Sequence, residues 1–275
     1  MSSHNPAWTA QYFDEYGEDE WQRLLRSPLA EVKLHVHTHY LKQHLQPGAR
    51  LLEVGAGPGR FTQVLAQLGA RVTVADLSPV QVELNQRFSH THGFAEAVDA
   101  WHVLDICDMS PFADAAFDGL VCYGGPLSYV FDGRHRALAE CVRVVRPGGL
   151  IWLSVMSLFG SQHELLPEVL DSGTTANRRI LATGDLTPEN LPDVTHRCHL
   201  FRAAELRGML SDHGLEVLDM AASNSLATGW DLTDTRRDPE RWAELLHLEL
   251  EATREAGCLD MGSHLIAVVR TPPAG

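Results

Sequence analysis

Between residues 50 and 156, short apolar runs alternate with helical segments. The apolar runs have the length of buried strands and lie at 50–55, 71–76, 97–104, 117–123 and 150–156. The segments with helical spacing and helix-start or helix-stop residues lie at 60–68, 79–90 and 133–145. Strands and helices that alternate with short turns predict a parallel, doubly wound α/β sheet with helices on both faces.

A glycine-rich loop, Glu-Val-Gly-Ala-Gly-Pro-Gly at residues 53–59, joins the first of these strands to the following helix. Glycines let the backbone turn tightly and let a ligand approach it, and the helix behind the loop presents free N–H groups. A dinucleotide-binding fingerprint requires its third glycine at position 60, which is Arg60 in this chain. The spacing is therefore GxGxG, and it disfavours a nicotinamide dinucleotide.

Two aspartates follow the next two strands of this region. Asp76 ends the second strand, and a carboxylate at this place accepts hydrogen bonds from ribose hydroxyls. Asp105 and Ile106 follow the third strand, where an acceptor beside an apolar side chain suits the amino group and the flat face of adenine. Asp108 is an alternative to Asp105. Because parallel sheets bind ligands at the carboxyl ends of their strands, these signals predict a nucleoside site.

The glycine loop, Asp76, Asp105 and the later Arg-Pro-Gly-Gly at residues 146–149 resemble the class I S-adenosylmethionine-dependent methyltransferases of the small-molecule type. The resemblance is strong over residues 50–156, and the predicted final strand at 263–270 resembles the antiparallel seventh strand of that family. It implies a Rossmann-like, mostly parallel seven-stranded sheet. It also implies S-adenosyl-L-methionine as the cofactor and an enzyme that methylates a small molecule.

The resemblance assigns roles to individual residues. The loop would lie under the methionine part of the cofactor, Asp76 would hold the ribose, and Asp105 would bind the adenine amino group. The N-terminal aromatic residues resemble the lid of some small-molecule methyltransferases. The residues implied to bind the cofactor are Glu53, Gly55, Ala56, Gly57, Gly59, Asp76, Leu77, Asp105, Ile106, Cys122, Tyr123 and Tyr12.

Three residues are candidates for a catalytic role. Methyl transfer from a sulfonium is an in-line displacement that needs alignment and exclusion of water, and for some nucleophiles a base. The candidates are Tyr129 after the fourth strand, Tyr16 in the N-terminal arm, and His199, one of the histidines at 163, 196 and 199. We predict no metal site, because alternate histidines at 35, 37 and 39 point in different directions on a helix.

Outside the core, we predict a helix at 31–45 and an irregular stretch at 157–200, which is typical of an inserted cap. A helix at 202–213, a strand at 215–221, a long helix at 239–256 and a strand at 264–270 follow. The expected organisation is one domain, residues 1–275. Its parts are an N-terminal lid and helix (1–45), a cofactor-binding core (46–156), a cap insertion (157–200) and the C-terminal part of the sheet (201–275).

The composition narrows the class of protein. The formal charge is −14, and such a field repels nucleic acid and anionic membranes. No apolar run reaches the roughly 20 residues that span a bilayer. The segment 1–8 lacks the features of a signal peptide, and the five cysteines show no CxxC spacing. We therefore expect a cytoplasmic protein without nucleic-acid or membrane partners, with the 239–256 helix as a candidate homodimer interface.

The expected function is methyl transfer from S-adenosylmethionine to a nitrogen or oxygen of a small molecule. Residues 123–129 lack the Asn/Asp-Pro-Pro-Tyr/Phe motif that serves planar amides and adenine amino groups. Two alternatives stay open. One is a nicotinamide-dependent Rossmann oxidoreductase, which the loop spacing disfavours. The other is a non-catalytic protein that binds S-adenosylmethionine.

Overall fold

The structure is a computed structural model that describes residues 3–273. The strands are β1 (Arg50–Val54), β2 (Arg71–Asp76), β3 (Val98–Val103), β4 (Phe117–Cys122), β5 (Val145–Met156), β6 (Asp185–Leu186), β7 (Cys198–His199), β8 (Glu216–Ala222) and β9 (His264–Arg270). Seven of them form one sheet in the order β3-β2-β1-β4-β5-β9-β8, while β6 and β7 form a separate antiparallel ribbon. Only β9 runs antiparallel to its neighbours in the large sheet. This sheet confirms the predicted fold class.

Helices cover both faces of the sheet. They are α1 (Pro6–Tyr16), α2 (Asp19–Gln22), α3 (Pro28–His44), α4 (Arg60–Gln67), α5 (Pro79–Thr91), α6 (Pro126–Tyr129), α7 (Arg134–Val144), α8 (Leu158–Glu164), α9 (Leu166–Asp171), α10 (Gly173–Thr183), α11 (Ala203–Asp212), α12 (Thr233–Arg237) and α13 (Pro239–Thr253). Short 3₁₀ turns lie at Ala95–Ala97, Phe131–Gly133 and Leu259–Met261. None of the helices described between residues 3 and 273 has both the length and the apolar character that crossing a membrane requires.

Two hydrophobic cores lie on opposite faces of the sheet, because successive side chains of a strand alternate between faces. In β1, Leu52 and Val54 belong to the core under α7 and α11, whereas Leu51 belongs to the core under α3 and α4. In β4 and β5, Leu120 and Leu153 join the first core, while Val121 and Trp152 join the second. Burial on both faces explains why these strands are almost continuously apolar.

The order of strands reverses between β1 and β4, since β1 pairs with β2 on one side and with β4 on the other. The connections that leave the carboxyl ends of β1 and β4 therefore run to opposite faces of the sheet. This arrangement opens a crevice at the sheet edge, which is where open α/β sheets bind ligands.

The cap at 157–200 differs from the irregular stretch that we predicted. It contains α8, α9, α10 and the β6–β7 ribbon. Three of its six Pro and Gly residues lie at helix boundaries: Pro167 is in the first turn of α9, Gly173 begins α10, and Gly184 ends α10 in the left-handed conformation. Because the helices are short, these boundary residues dominate the local composition and hide the helical spacing.

The Arg-Pro-Gly-Gly segment at 146–149 precedes the strand that we predicted at 150–156. The structure includes it in β5, which begins at Val145. The pairing of β4 with β5 jumps from Phe117–Val145 to Gly119–Leu150, so the segment forms an irregularity at the start of the strand. A side chain at position 149 would lie 2.6 Å from the Asp118 carbonyl oxygen, which explains the glycine there.

Candidate functional site

A cavity of about 390 Å³ lies at the carboxyl edge of the sheet, between the glycine loop and the N-terminal arm. Pockets for small organic ligands are typically about 300–1,000 Å³. The residues predicted to bind the cofactor that line it are Gly55, Ala56, Gly57, Asp76, Leu77, Asp105, Ile106, Tyr123 and Tyr12. The predicted catalytic residues Tyr16 and Tyr129 line it as well. Residues far apart in the sequence thus meet at the carboxyl edge of the sheet, as predicted.

Asp76 is a buried acceptor in this cavity. Its Oδ2 accepts a hydrogen bond from the Gly57 N–H at 2.8 Å, and its Oδ1 accepts one from the Ser78 N–H at 2.9 Å. Burial raises the pKa of Asp76 to about 6, although the backbone N–H groups act in the opposite direction. The carboxylate is therefore mostly ionised at neutral pH and keeps lone pairs for a ligand.

Asp105 lies at another part of the cavity wall. Its Oδ1 accepts a hydrogen bond from the Cys107 N–H at 2.8 Å, and its Oδ2 lies 2.6 Å from His4 Nε2. Burial alone would raise the pKa of Asp105, but the contacts with His4 and Cys107 outweigh it and lower the pKa. The sequence gives no local signal for the His4 contact, since the two residues are 101 positions apart.

The glycines of the loop serve different purposes. A Cβ at Gly55 would lie 2.3 Å from Pro126 Cγ, and one at Gly59 would lie 2.9 Å from Asn85 Nδ2, so both glycines permit close packing within the protein. A Cβ at Gly57 would meet nothing closer than 3.5 Å. With φ of +53°, Gly57 also adopts a backbone conformation that favours glycine. Gly57 is thus the glycine that leaves space toward the cavity.

The N-terminal arm covers the cavity with aromatic side chains of α1. The Tyr12 ring stacks on Trp8 and Tyr16, with centroid distances of 5.4 and 6.3 Å. Gln81 Nε2 in α5 donates to the Phe13 carbonyl oxygen at 2.8 Å, and Ser78 Oγ donates to Asp14 at 2.5 Å. These bonds join the arm to the helix that begins after Asp76.

Charged side chains of α2 and the residue after it also face the cavity. Glu20 and Arg23 both line it, and Arg23 Nε donates to Glu20 at 2.6 Å. Two acidic residues of this segment have partners within the protein: Asp14 bonds to Ser78, and Glu20 bonds to Arg23.

Buried polar atoms without a hydrogen-bond partner in residues 3–273 concentrate at this cavity. Such atoms are costly, because the hydrogen bonds to water that they lose are not replaced. The ones on residues that line the cavity are His4 Nδ1, Arg60 Nε, Gln81 Oε1, Tyr123 Oη and His264 Nδ1. A polar ligand can satisfy both donors and acceptors of this set.

Comparison with known proteins agrees with this geometry. Residues 52–153 match the family of the methyltransferase domain. A malonyl-[acyl-carrier protein] O-methyltransferase from Serratia marcescens is 33% identical over 119 residues, which are 43% of this chain and 42% of that protein. A ubiquinone biosynthesis O-methyltransferase from Xanthomonas axonopodis pv. citri is 29% identical over 188 residues, or 68% of this chain and 71% of that protein.

A solved structure of an S-adenosylmethionine-dependent methyltransferase from Methanosarcina mazei has the same fold, with a TM-score of 0.56 and 18% identity. The similarity covers 86% of this chain and 98% of that one. Residues 52–153 thus form a methyltransferase domain, and the fold is that of the S-adenosylmethionine-dependent methyltransferases. The matched part spans 42% of the Serratia relative and 71% of the Xanthomonas relative, so only part of each curated protein is compared.

Four residues predicted to act in the site of the methyltransferase domain do not line its cavity: Glu53, Gly59, Cys122 and His199. Gly59 packs against Asn85, as described above. Cys122 is fully buried in the core under α7, because its neighbour Tyr123 takes the position facing the cavity. Burial raises the pKa of the Cys122 thiol to about 12.

Glu53 is buried behind the loop instead of lining the cavity. It accepts a hydrogen bond from Thr62 Oγ1 at 2.6 Å. Burial raises its pKa to about 8; the Thr62 bond opposes this shift, and the nearby Asp76 charge adds to it. At neutral pH the side chain is therefore mostly a neutral carboxylic acid, and its contact is with α4.

Among the candidate histidines of the cap, His196 faces the cavity. Its Nε2 lies 2.7 Å from the Tyr129 hydroxyl, and its ring stacks on Tyr12 at 5.6 Å. Burial, together with the charge of Arg23, lowers the pKa of His196 to about 4, so the ring is neutral at pH 7. His199 lies on a second cavity, and His163 is half-buried on α8. Of the three candidate histidines, His196 thus faces the first cavity, and a catalytic role of His199 stays a prediction.

Three potential metal ligands, His4, Asp105 and Cys107, lie within 4.8 Å of one another at the same cavity. Metals bind the thiolate form of cysteine. Burial and the Asp105 charge raise the pKa of Cys107 to about 12, so the thiol stays protonated. The Asp105 oxygens are already bonded to His4 and Cys107. The contacts of His4, Asp105 and Cys107 form a hydrogen-bond network that holds the arm to the core.

Proposed function

We propose that this domain transfers the methyl group of S-adenosylmethionine to a hydroxyl or amine of a small molecule. The observation that carries the proposal is the Tyr129–His196 pair on the wall of a cavity that also contains Asp76 and Asp105. This arrangement places a neutral proton acceptor beside acceptors suited to an adenosyl group. An in-line displacement then needs only alignment and the exclusion of water.

The residues present fit the cofactor. Asp76 would accept from the ribose hydroxyls, Asp105 would accept from the adenine amino group, and Leu77 and Ile106 would flank the ring. Gly57 would leave room for the chain of the cofactor, and Arg23 would bind its carboxylate. S-adenosylmethionine supplies, when bound, a methyl group activated by its sulfonium. The ring faces of Tyr12 and Tyr16 suit such a cation.

The proton of a hydroxyl acceptor has a path in this site. With the His196 proton on Nδ1, the Tyr129 hydroxyl donates to His196 Nε2 and keeps lone pairs for the acceptor hydroxyl. As the acceptor oxygen displaces the sulfur at the methyl carbon, the acceptor proton passes to Tyr129, and the Tyr129 proton passes to His196. The two matched relatives are named O-methyltransferases, which supports oxygen as the nucleophile.

A small acceptor is favoured over a macromolecule for two reasons. The arm closes over the cavity through Gln81 and Asp14, so a large substrate has little access. The formal charge of −14 disfavours nucleic acids. We also propose a homodimer through α13, which exposes Leu248; light scattering of the purified chain tests this point.

The experiment is to measure S-adenosylhomocysteine release by the purified chain with a panel of phenols, hydroxy acids and amines. Wild type, His196→Gln and the surface control His163→Gln are compared. We expect the wild type to turn over at least one acceptor class. His196→Gln should lose most of this turnover, and His163→Gln should keep it. Binding of NAD in place of S-adenosylhomocysteine would instead favour an oxidoreductase. Binding of S-adenosylhomocysteine without turnover on any acceptor would favour a non-catalytic binding protein.

A further inference from the structure

A second cavity, of about 770 Å³, adjoins the first, and both are lined by Thr9 and Tyr129. Its other walls come from the arm, from the start of α7, from the cap between residues 182 and 190, and from Arg197 and His199. The residues assigned above to the adenosyl group do not reach it. It therefore lies on the far side of Tyr129 from the cofactor site.

Arg197 is the unusual charged group of this cavity. Its guanidinium carbon lies 4.8 Å from the centre of the Trp8 ring, and its Nε is buried without a hydrogen-bond partner. In the described part of the chain, no carboxylate lies within ion-pair distance of it. Glu189 lies on the same wall, is exposed and is hydrogen-bonded with Thr187, and its carboxylate interacts with the Arg197 charge from beyond ion-pair distance.

Other charged groups of the second cavity contact one another. His199 Nδ1 lies 2.7 Å from Asp185, and its Nε2 lies 2.8 Å from Glu205. Burial alone would lower the pKa of His199, but these two carboxylates outweigh it and raise the pKa. Arg134 lies 3.6 Å from the same Glu205. Arg197 is left as the cation that can bind an anion.

A continuous series of ring contacts connects Arg197 to the proposed proton path. Trp8, which packs against Arg197, stacks on Tyr12, and Tyr12 stacks on His196 at 5.6 Å. His196 in turn contacts Tyr129, which lines both cavities. A molecule that occupies the second cavity and contacts Arg197 thus borders the residues that face the methyl-transfer site.

We propose that the second cavity is the acceptor subsite and that Arg197 binds a carboxylate group of the acceptor. The inference rests on the proposed function. A guanidinium held against an aromatic ring presents its N–H groups in the planar geometry that matches a carboxylate. A singly charged carboxylate fits better than a phosphate dianion, because Arg197 supplies one positive charge, while Arg134 and His199 on the same walls already contact Glu205.

The test compares the binding of benzoate with that of benzamide, which has nearly the same shape and no charge. Titration calorimetry is done on the chain saturated with S-adenosylhomocysteine, for wild type, Arg197→Gln and Arg197→Lys. The matched control is Arg178→Gln, because Arg178 is exposed on α10 and does not line the cavity. Circular dichroism and S-adenosylhomocysteine affinity establish that each variant folds and retains the cofactor site.

We expect wild type and Arg178→Gln to prefer benzoate by about tenfold, as for one charge-assisted hydrogen-bonded contact. Arg197→Gln should lose the preference and Arg197→Lys should keep part of it. Equal binding of the two probes by wild type, no binding of benzoate, or an unchanged preference in Arg197→Gln would overturn the proposal. Tighter binding of phenyl phosphate than of benzoate would overturn the choice of carboxylate.

The proposed function is tested separately by the affinity for S-adenosylhomocysteine and by turnover. Loss of S-adenosylhomocysteine binding and of turnover, with the selectivity for benzoate intact, would reject methyl transfer and leave the second cavity as an anion site. Normal cofactor binding and turnover, with no benzoate selectivity, would reject the subsite alone.

Discussion

Replacing Asp76 with Asn should remove most of the cofactor affinity while leaving the folded chain about as stable as before. The carboxylate is 7% exposed, and its pKa of about 6 lies above the ordinary value of 3.8. This difference means that keeping Asp76 ionised at neutral pH costs about 3 kcal/mol in the ligand-free fold. The Asn variant avoids that desolvation.

The same change loses hydrogen bonds. Asp76 accepts from the Gly57 and Ser78 N–H groups through different oxygens, whereas an amide offers only one oxygen. One charge-assisted bond, worth about 1.5–3 kcal/mol, is therefore lost. The free energy gained by avoiding desolvation of the carboxylate and the free energy lost with the hydrogen bond nearly cancel. We therefore expect the unfolding free energy to change by no more than about 1 kcal/mol. Ribose hydroxyls, however, lose their charged acceptor, and affinity should fall about a hundredfold.

The pH dependence distinguishes this explanation from a general disturbance of the site. The unfolded chain releases the Asp76 proton near pH 3.8 and the folded chain near pH 6, so the ionised acceptor disappears as pH falls below about 6. Wild-type affinity for S-adenosylhomocysteine should then drop up to about tenfold per pH unit, whereas Asp76→Asn should be insensitive to pH there. Calorimetric titrations between about pH 5 and 8 measure the affinity for S-adenosylhomocysteine. Urea unfolding measures the unfolding free energy. Wild-type affinity in the folded variant would refute the reasoning.

Other changes test the remaining parts of the site. Glu53→Gln should be similar in stability to wild type near pH 4.5 and more stable than wild type near pH 8, because an acid whose folded pKa is raised from 4.5 to about 8 loses stability as pH rises between these two values. Urea unfolding at both pH values measures the difference. His196→Gln and Tyr129→Phe should each lower kcat by roughly 10²–10⁴ with little change in S-adenosylhomocysteine affinity. Because the pKa of His196 is about 4, wild-type kcat at saturating cofactor should not fall between about pH 5 and 7 through this residue. Gly57→Val should abolish cofactor binding, and circular dichroism should show a folded chain; unchanged binding would place Gly57 away from the ligand.

The fold was predictable from the sequence because local signals and topology agree. Ser78 caps α5 and Pro79 is in its first turn, as the sequence pattern indicates. The apolar strands alternate between two cores, which requires helices on both faces. Asp76 and Asp105 then meet at one cavity because each follows the end of a parallel strand.

The cap was less predictable, because its side-chain directions depend on tertiary contacts. His196 and His199 are three positions apart, yet one faces the first cavity and the other faces the second. The deciding contact is the pairing of β6 with β7, which places Asp185 against His199. Strand pairs of two residues leave no hydrophobic alternation in the sequence from which their register can be read.

The properties of the site follow from a conflict between binding and stability. Ligand-free, the domain holds Asp76 ionised with a raised pKa and leaves buried polar atoms on His4, Gln81, Tyr123 and His264 without partners in the described chain. Each of these features destabilises the empty fold, and the flanking cores of apolar strands offset them. A ligand that supplies the missing hydrogen bonds recovers that free energy only in the folded state, so binding and folding are linked. The same buried polar groups that weaken the empty domain therefore give it affinity and specificity for a polar, nucleoside-like ligand.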